Sequence, residues 1–448
     1  MKSVYILLVA CLGIQSIQAQ DSLLTREQAI EIALDKNFGI AIAKNQVAIA
    51  DNNKSLLNSG FLPVVSASGG ANYNRDDSVI EFPGQLLENG DPRPDIIIDQ
   101  AEAQRYNGGV AVNYTLFDGL GRHYNYKRLK EEYDLTELQA RETIENTLLQ
   151  LFSVYFEVAR LSENENLLAN ALEVSKDRIR RAEYAFDYGQ NTKLDVLNAR
   201  VDATNDSINF LNARQQLINA KRDLNVVLNR ELQTGFNVDT VVRFIPRLQL
   251  DDYLESAKDN NVALLQTEKN AKINAYDIKI SRAGYLPTLG LSGTYGWNLN
   301  QSAPSAFFPG TNNENWNFGL GASLTWNIFD GGGTTVRVKN AKIAFENQEL
   351  LNEQIELEVG RDISNAQTIY QNRLDVYEIQ EQNVITNQNN FERSREEYQL
   401  GRITSIEFRQ AQVNLLNAQT SKNLAKYNAK LAELQLLQLT GQLLNTPL

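Results

Sequence analysis

The chain has 448 residues, with 55 aspartates and glutamates against 43 lysines and arginines, so its formal net charge is −12. It contains one Cys, one His and one Met, which excludes a disulfide framework and a Cys/His metal site and disfavours most enzymes. The acidic balance also argues against a nucleic-acid partner, which would require a basic face. We therefore expect a protein that is not an enzyme and that uses no cofactor and no metal.

Residues 1–20 have the pattern of a secretory signal peptide. Lys2 precedes an apolar run from Val4 to Ile14, and the small residue Ala19 marks a cleavage position. The stretch that ends at Cys11 also resembles a lipoprotein signal, so lipidation of Cys11 and its removal with the signal peptide both stay open. The sequence in either case predicts export.

Two long stretches without proline, 95–245 and 310–446, predict very long helices, because proline costs roughly 3 kcal/mol in a helix interior. A helix from about Leu120 to Asp187 would be some 100 Å long, far longer than a compact domain requires. Apolar residues recur at the steps of narrow coiled-coil seams. The first seam is Leu194, Leu197, Val201, Ile208, Leu211 and Ile218, and the second is Tyr370, Leu374, Tyr377, Val384, Phe391 and Tyr398.

Four segments with alternating polarity predict β-strands at about 61–75, 105–118, 285–299 and 316–330. Their apolar positions carry aromatic residues near the segment ends, and the alternate positions are small and polar, which is typical of strands in transmembrane β-barrels. An ordinary half-buried sheet is the alternative. We expect loops at about 76–104 and 300–315 to connect the strands of each pair.

The two halves of the chain repeat each other. Phe117-Asp118-Gly119 recurs as Phe329-Asp330-Gly331, and Gly189 recurs as Gly401. After the signal peptide we expect a first structural repeat at 21–245 and a second at 246–448, each with a helix, two strands and a long helical hairpin. The hairpin tips should lie near 189 and 401. Because four strands cannot close a barrel of useful bore, three chains would have to share one of twelve strands.

This ordered set of repeats and turns resembles the outer-membrane efflux protein family over residues 24–444. The resemblance implies a mainly α fold with a small β part, in which a long α-helical coiled-coil barrel joins a transmembrane β-barrel shared between three subunits. It implies a homotrimer in the outer membrane of a Gram-negative bacterium, in contact with lipid and extending into the periplasm. Such a channel-tunnel passively exports small molecules or polypeptides in tripartite efflux or type I secretion, with a periplasmic adaptor protein and an inner-membrane transporter as partners.

The resemblance also implies roles for the hairpin tips. Glu407 would point into the tunnel and form a ring of three carboxylates that favours cations. Asp195 would accept a hydrogen bond from Tyr398 and hold neighbouring hairpins together until they rotate outward. The residues expected to contact the adaptor are Phe186, Gly189, Thr192, Gly401, Arg402 and Thr404. The sequence departs from the family pattern at Gln410, where a second acid is common, and at Ile403, where a basic residue is usual.

Alternatives stay open at each level. Thr192 with Asp195, and Thr404 with Glu407, also have the spacing of helix capping boxes, in which the acids would only stabilise helix N-termini. A soluble periplasmic coiled-coil scaffold or adaptor would need the helices but not the alternating strands. An exported carboxylate-based hydrolase is a third possibility, although no pair of acids stands out in a glycine-rich loop.

Overall fold

The computed structural model describes residues 22–190, 192–304 and 309–446, so the predicted signal peptide and Cys11 lie outside the described residues. The helices are α1 (Arg26–Lys36), α2 (Phe38–Asn53), α3 (Gly121–Asp187), α4 (Lys193–Val227), α5 (Arg247–Glu255), α6 (Ala257–Asn260), α7 (Val262–Ala283), α8 (Gly333–Gln399) and α9 (Ser405–Leu439). The strands are β1 (Ser22–Leu24), β2 (Val64–Ile80), β3 (Ile96–Asp118), β4 (Phe236–Val238), β5 (Thr288–Ser302) and β6 (Thr311–Thr325). In the part of the chain that is described, no helix is both long enough and apolar enough to cross a membrane.

The long helices occur where the sequence predicts them. Helices α3 and α8 have 67 residues each, and α4 and α9 have 35 each. The first short helix begins at the predicted capping box, since Thr25 and Gln28 exchange backbone and side-chain hydrogen bonds. Both helical hairpins turn at a glycine, Gly189 and Gly401.

The described part of the chain divides into two compact units. The first takes its residues from 22–48, 135–268 and 350–446, and the second from 49–134 and 269–349. Each unit takes segments from both predicted repeats. The boundaries of the repeats themselves stay predictions.

The core of the first unit is an aromatic cluster on α3. Phe152, Tyr155 and Phe156 are about 1% exposed, and they pack with leucines of α4 and α9. The Tyr155 hydroxyl donates to the carbonyl of Leu24 at 2.9 Å and accepts from the amide of Asp239 at 3.0 Å. One buried phenol therefore joins the two strands of the short parallel β1–β4 pair at their C-terminal ends.

The sheet of the second unit has the order β2-β3-β5-β6, with every neighbouring pair antiparallel. The predicted loop at 76–104 is too long, because β2 continues to Ile80 and β3 already begins at Ile96. A break in register at Asp76/Ser78 interrupts the two-residue alternation there, and Asp77 accepts a hydrogen bond from the amide of Gln100 at 2.6 Å. This bulge hides the strand continuation from the sequence pattern.

The prediction for the last strand, 316–330, is displaced towards the C-terminus, since β6 spans Thr311–Thr325. Two side chains of residues 326–330, which lie beyond the end of β6, make hydrogen bonds outside the sheet. The Trp326 indole donates to the carbonyl of Tyr285 at 3.1 Å, and Asp330 accepts from the amide of Thr334 at 2.7 Å in the first turn of α8. These contacts take the chain out of the strand ladder and into the helix.

Candidate functional site at the hairpin tips

The hairpin tips are built from two equivalent glycine turns. Gly189 and Gly401 both have φ of +72°, the left-handed conformation that favours glycine at the end of a helix. The amide of Gln190 donates to the carbonyl of Ala185 at 2.7 Å, and that of Arg402 donates to Glu397 at 2.9 Å. Because a Cβ at either glycine would meet nothing within 4 Å, backbone conformation rather than space requires glycine here.

The acids predicted for the gate lie in capping boxes at the starts of α4 and α9. Asp195 Oδ2 accepts from the Thr192 amide at 3.0 Å and from its hydroxyl at 2.7 Å. Glu407 Oε2 accepts the equivalent bonds from Thr404 at 2.7 and 2.8 Å. The backbone and side-chain hydrogen bonds from Thr404 lower the pKa of Glu407. The capping interpretation is therefore correct for one oxygen of each carboxylate. The second oxygen of each makes no hydrogen bond to any other described residue.

Tyr398 lies at the end of α8 and stacks on Phe408 of α9, with ring centroids 4.9 Å apart and planes 5° apart. Phe391 stacks on the same ring at 5.5 Å. Among the described residues, no hydrogen bond joins Tyr398 to Asp195. The expected link between these two residues is therefore absent within one chain, and a link between chains stays a prediction.

The residues expected to contact an adaptor are mostly exposed. The Phe186 ring is 42% exposed, and Thr192, Gly401 and Thr404 are also on the surface. The exposed Arg402 side chain lies 3.4 Å from Glu397 across the tip turn. The tips thus present aromatic, hydroxyl and guanidinium groups to solvent.

The sequence analysis missed two ion pairs near the tips, each with one buried and one partly exposed side chain. Arg178 of α3 donates to Asp202 of α4 at 3.0 Å and to the Ser405 hydroxyl of α9 at 2.8 Å. Arg409 of α9 donates through both terminal nitrogens to Asp206 of α4, at 2.6 and 2.7 Å.

We call these two bridges the arginine clamp, formed by Arg178–Asp202 and Arg409–Asp206. A sequence signal for it exists, because Asp206 is a charged residue within a helical seam of alanines. The alanines of that seam are Ala199, Ala203, Ala213 and Ala220.

Contacts between the long helices of the first unit join α4 to α3, α3 to α9 and α9 to α8, and Arg409 also joins α9 to α4. Helix α3 packs on α4 through Ala182 and Val196, and it meets α9 where Gln412 donates to the Ala171 carbonyl at 3.0 Å. The Phe391–Phe408 stack joins α9 to α8. Helices α4 and α8 each have a side on which large apolar side chains are exposed in the described part of the chain.

Those open sides are apolar. On α4 the first predicted seam is 43% to 64% exposed, and the residues are Leu194, Leu197, Val201, Ile208, Leu211 and Ile218. On α8 the exposed apolar residues include Ile369, Val376, Ile379 and Ile385. The second predicted seam instead packs inside the chain, as the stacking of Phe391 and Tyr398 on Phe408 indicates.

A family model described as outer membrane efflux protein matches residues 29–230 and 253–442. The chain belongs to the outer membrane efflux protein family. It is 23% identical over 393 residues to outer membrane protein TolC of Vibrio cholerae, covering 86% of this chain and 83% of that protein. It is 23% identical over 340 residues to outer membrane efflux protein BepC of Brucella suis, covering 75% of this chain and 72% of that protein.

Solved structures with the same fold include the CmeC outer membrane channel of Campylobacter jejuni, with a TM-score of 0.71 at 18% identity. That similarity covers 93% of this chain and 85% of CmeC. The outer membrane protein VceC of Vibrio cholerae has a TM-score of 0.70 at 16% identity, covering 93% and 95%.

The family settles several expectations from the sequence. The mainly helical fold with a smaller sheet is confirmed, and so is location in the outer membrane of a Gram-negative bacterium. The family is one of efflux channels and not of enzymes, so the exported-hydrolase alternative is wrong.

Proposed function

We propose that this protein is the outer-membrane channel-tunnel of a tripartite efflux or type I secretion system. Three copies assemble into a closed channel that passively exports small molecules or polypeptides, which a periplasmic adaptor and an inner-membrane transporter deliver. The observation that supports this proposal is that the single chain leaves two kinds of surface uncovered. Its row of long helices has two apolar outer sides, and its sheet has two unpaired long edges.

The outer sides of the helix row match each other in position along the helices. Ile208 lies about 15 residues after the start of α4, and Ile385 lies about 14 residues before the end of α8, so each is roughly 22 Å from its tip. The distance to the tip also agrees within about 3 Å for two further pairs, Leu211 with Ile379 and Ile218 with Val376. Pairing α4 of one copy with α8 of the next would bury both apolar stripes in an antiparallel seam.

The sheet has the same property. Among the described residues, strand β2 pairs only with β3 and β6 only with β5, which leaves edges of 17 and 15 residues unpaired there. The apolar side chains of β6 are largely exposed, with Trp316 at 64%, Phe318 at 71% and Leu320 at 78%. Because β2 and β6 are antiparallel, β6 of one copy can pair with β2 of the next without changing the sheet pattern. Long unprotected edges are rare in soluble proteins, and closure with three copies removes them.

The hairpin tips supply the gate and the docking surface in this proposal. Glu407 keeps its charge because its cap lowers its pKa, so three copies would place three carboxylates around the tunnel. Asp195 has one free oxygen for a hydrogen bond from Tyr398 of a neighbouring hairpin, and this bond breaks when the hairpins rotate outward. The exposed tip residues, Phe186, Gly189, Thr192, Gly401, Arg402 and Thr404, contact the adaptor.

Cysteine crosslinking tests the assembly directly, since the only native cysteine is Cys11. A chain carrying Ile208→Cys and Ile385→Cys should form dimers and trimers on oxidation in outer membranes. The matched control is Ile208→Cys with Leu424→Cys, because Leu424 is 48% exposed but lies on the inner helix α9. If the first pair gives only monomers, or if both pairs crosslink equally, the proposed seam is wrong.

Single-channel recording in planar bilayers tests the gate. Asp195→Ala and Tyr398→Phe should each raise conductance or open time, because each removes one partner of the proposed hydrogen bond. Thr192→Val is the matched control, since it removes the capping hydroxyl and leaves the Asp195 carboxylate. If Thr192→Val has the same effect as Asp195→Ala, Asp195 acts only as a cap.

A further inference from the structure

The sheet of the second unit has one face made mainly of small polar side chains. The register places serine, threonine, glycine and asparagine in rows that cross the four strands. The larger side chains of this face are mainly asparagines, namely Asn72, Asn74, Asn107, Asn113, Asn298, Asn300, Asn313, Asn315 and Asn317. Two of these amides meet across strands, since Asn298 donates to Asn315 at 3.3 Å. The face is therefore hydrophilic, and almost all of it is uncharged.

Arg105 is the exception on this face. It pairs with Asn72 on β2 and with Asn300 on β5, so these three residues lie in one row of the sheet. Its neighbours along β3, Gln104 and Tyr106, lie on the opposite face, where the Tyr106 hydroxyl donates to Gln104 at 3.0 Å. In the described rows that cross all four strands, Arg105 is the only ionisable side chain on the polar face.

The guanidinium of Arg105 is exposed, and it makes no hydrogen bond or ion pair with another described residue. On the neighbouring strand β2, the first acid of the same face is Asp76, four residues beyond Asn72. Four strand residues span about 13 Å, which is too far for an ion pair. A guanidinium has five donors and no acceptor, whereas an asparagine amide has both. In these rows Arg105 is therefore the group that distinguishes an anion from a cation.

In the proposed trimer the polar face lines the channel, because the apolar face contacts lipid. Twelve strands spaced about 4.8 Å apart and tilted by about 40° enclose a barrel roughly 24 Å across. The Cα atom of each Arg105 then lies about 12 Å from the axis, and its inward-pointing guanidinium lies nearer. Because the Debye length at physiological ionic strength is about 8 Å, three such charges act across the whole opening.

We infer that Arg105 makes the outer part of the channel selective for anions. Three copies form a ring of guanidinium groups that concentrates cargo carrying carboxylate or phosphate groups and repels cations. This inference rests on the proposed function and adds a specificity-determining residue to it. The charge of this ring is opposite to that of the Glu407 carboxylates proposed at the hairpin tips, so the two ends of the channel discriminate by opposite signs.

Thiol reactivity beside Arg105 tests the inference in intact cells. Asn300→Cys places a thiol next to the guanidinium, and the native Cys11 falls within the predicted signal peptide. Reaction rates are measured with two methanethiosulfonates, the anionic ethylsulfonate and the cationic ethyltrimethylammonium reagent. A unit charge about 6 Å away changes the local concentration of each reagent by about two- to threefold, so Arg105→Gln should lower the anionic-to-cationic rate ratio by roughly three- to tenfold.

Arg75→Gln is the matched control. Arg75 lies three residues beyond Asn72 on β2, opposite Glu102 on the apolar face. The variant removes the same charge near the same end of the sheet but outside the channel, so the rate ratio at Asn300→Cys should not change. An equal fall with both variants, or no fall with Arg105→Gln, would overturn the inference.

A thiol on the apolar face separates failure of this inference from failure of the proposed function. Leu320 is 78% exposed on the apolar face of β6, where lipid should keep both reagents away from Leu320→Cys. If Leu320→Cys reacts and Asn300→Cys does not, the polar face does not line a channel and both proposals are wrong. If Asn300→Cys reacts at a rate ratio that Arg105→Gln leaves unchanged, only the role of Arg105 is wrong.

Discussion

Serine at Leu211 should weaken assembly of the trimer without unfolding the chain. Leu211 is 55% exposed in the single chain, on the open side of α4. Complete burial of a leucine side chain is worth about 1.5–3 kcal/mol, so covering the exposed 55% in an interface contributes roughly 0.8–1.6 kcal/mol. A trimer contains this contact three times, so Leu211→Ser should cost the assembly about 2.5–5 kcal/mol in total.

The assay is the trimer fraction of the detergent-solubilised protein as a function of dilution, measured by light scattering. The Leu211→Ser protein should dissociate at a protein concentration at which the parent is still trimeric. Leu424→Ser is the matched control, because Leu424 is 48% exposed on α9, away from both ends of the helix row. Equal dissociation of the two variants, or no dissociation of either, would refute the inference that α4 forms the joint between copies.

Three further predictions concern single sites. Tyr155→Phe should lower the free energy of unfolding by about 1–3 kcal/mol, because two buried backbone groups lose their partner; an unchanged denaturant midpoint by circular dichroism would contradict this. By the same assay Gly441→Ala should be strongly destabilising, since its Cβ would lie 2.2 Å from a backbone oxygen at a φ of +70°, whereas Gly360→Ala has open space in a helix and should stabilise by up to about 1 kcal/mol. Thr404→Val should raise the pKa of Glu407 back towards its ordinary value, because it removes one hydrogen bond to the carboxylate. As pH falls, the variant should therefore lose cation selectivity, measured from reversal potentials, at a higher pH than the parent. The parental pH dependence in the variant would show that the cap does not control the charge.

The sequence predicts the features of this protein that depend on local interactions. The glycine turns at 189 and 401 and the capping boxes follow from short-range rules, because backbone conformation and a side chain three residues away decide them. The strand boundaries were less accurate because the bulge at Asp76/Ser78 breaks the alternation on which strand prediction depends. The displaced end of β6 has a similar cause, since Asp330 is recruited to cap α8.

The sequence pattern does not show which distant helices pack against each other. Both coiled-coil seams were visible, but periodicity cannot say which one packs inside a chain and which one stays open for a neighbour. Tyr370, on the second seam, is 4% exposed and donates to buried Glu433, whereas Leu211 on the first is half exposed. The arginine clamp was missed for the same reason, because Asp206 and Arg409 meet only after two hairpins pack together.

The capping and gating interpretations of the tip acids are compatible because they use different atoms. In each capping box the acceptor is a single oxygen, Oδ2 of Asp195 or Oε2 of Glu407, and its donor lies three residues away in the same helix. In the proposed opening, rotation of whole hairpins leaves such a local bond intact, so the cap keeps each carboxylate oriented in both states. The second oxygen of each acid is the one that can accept a hydrogen bond from a neighbouring hairpin.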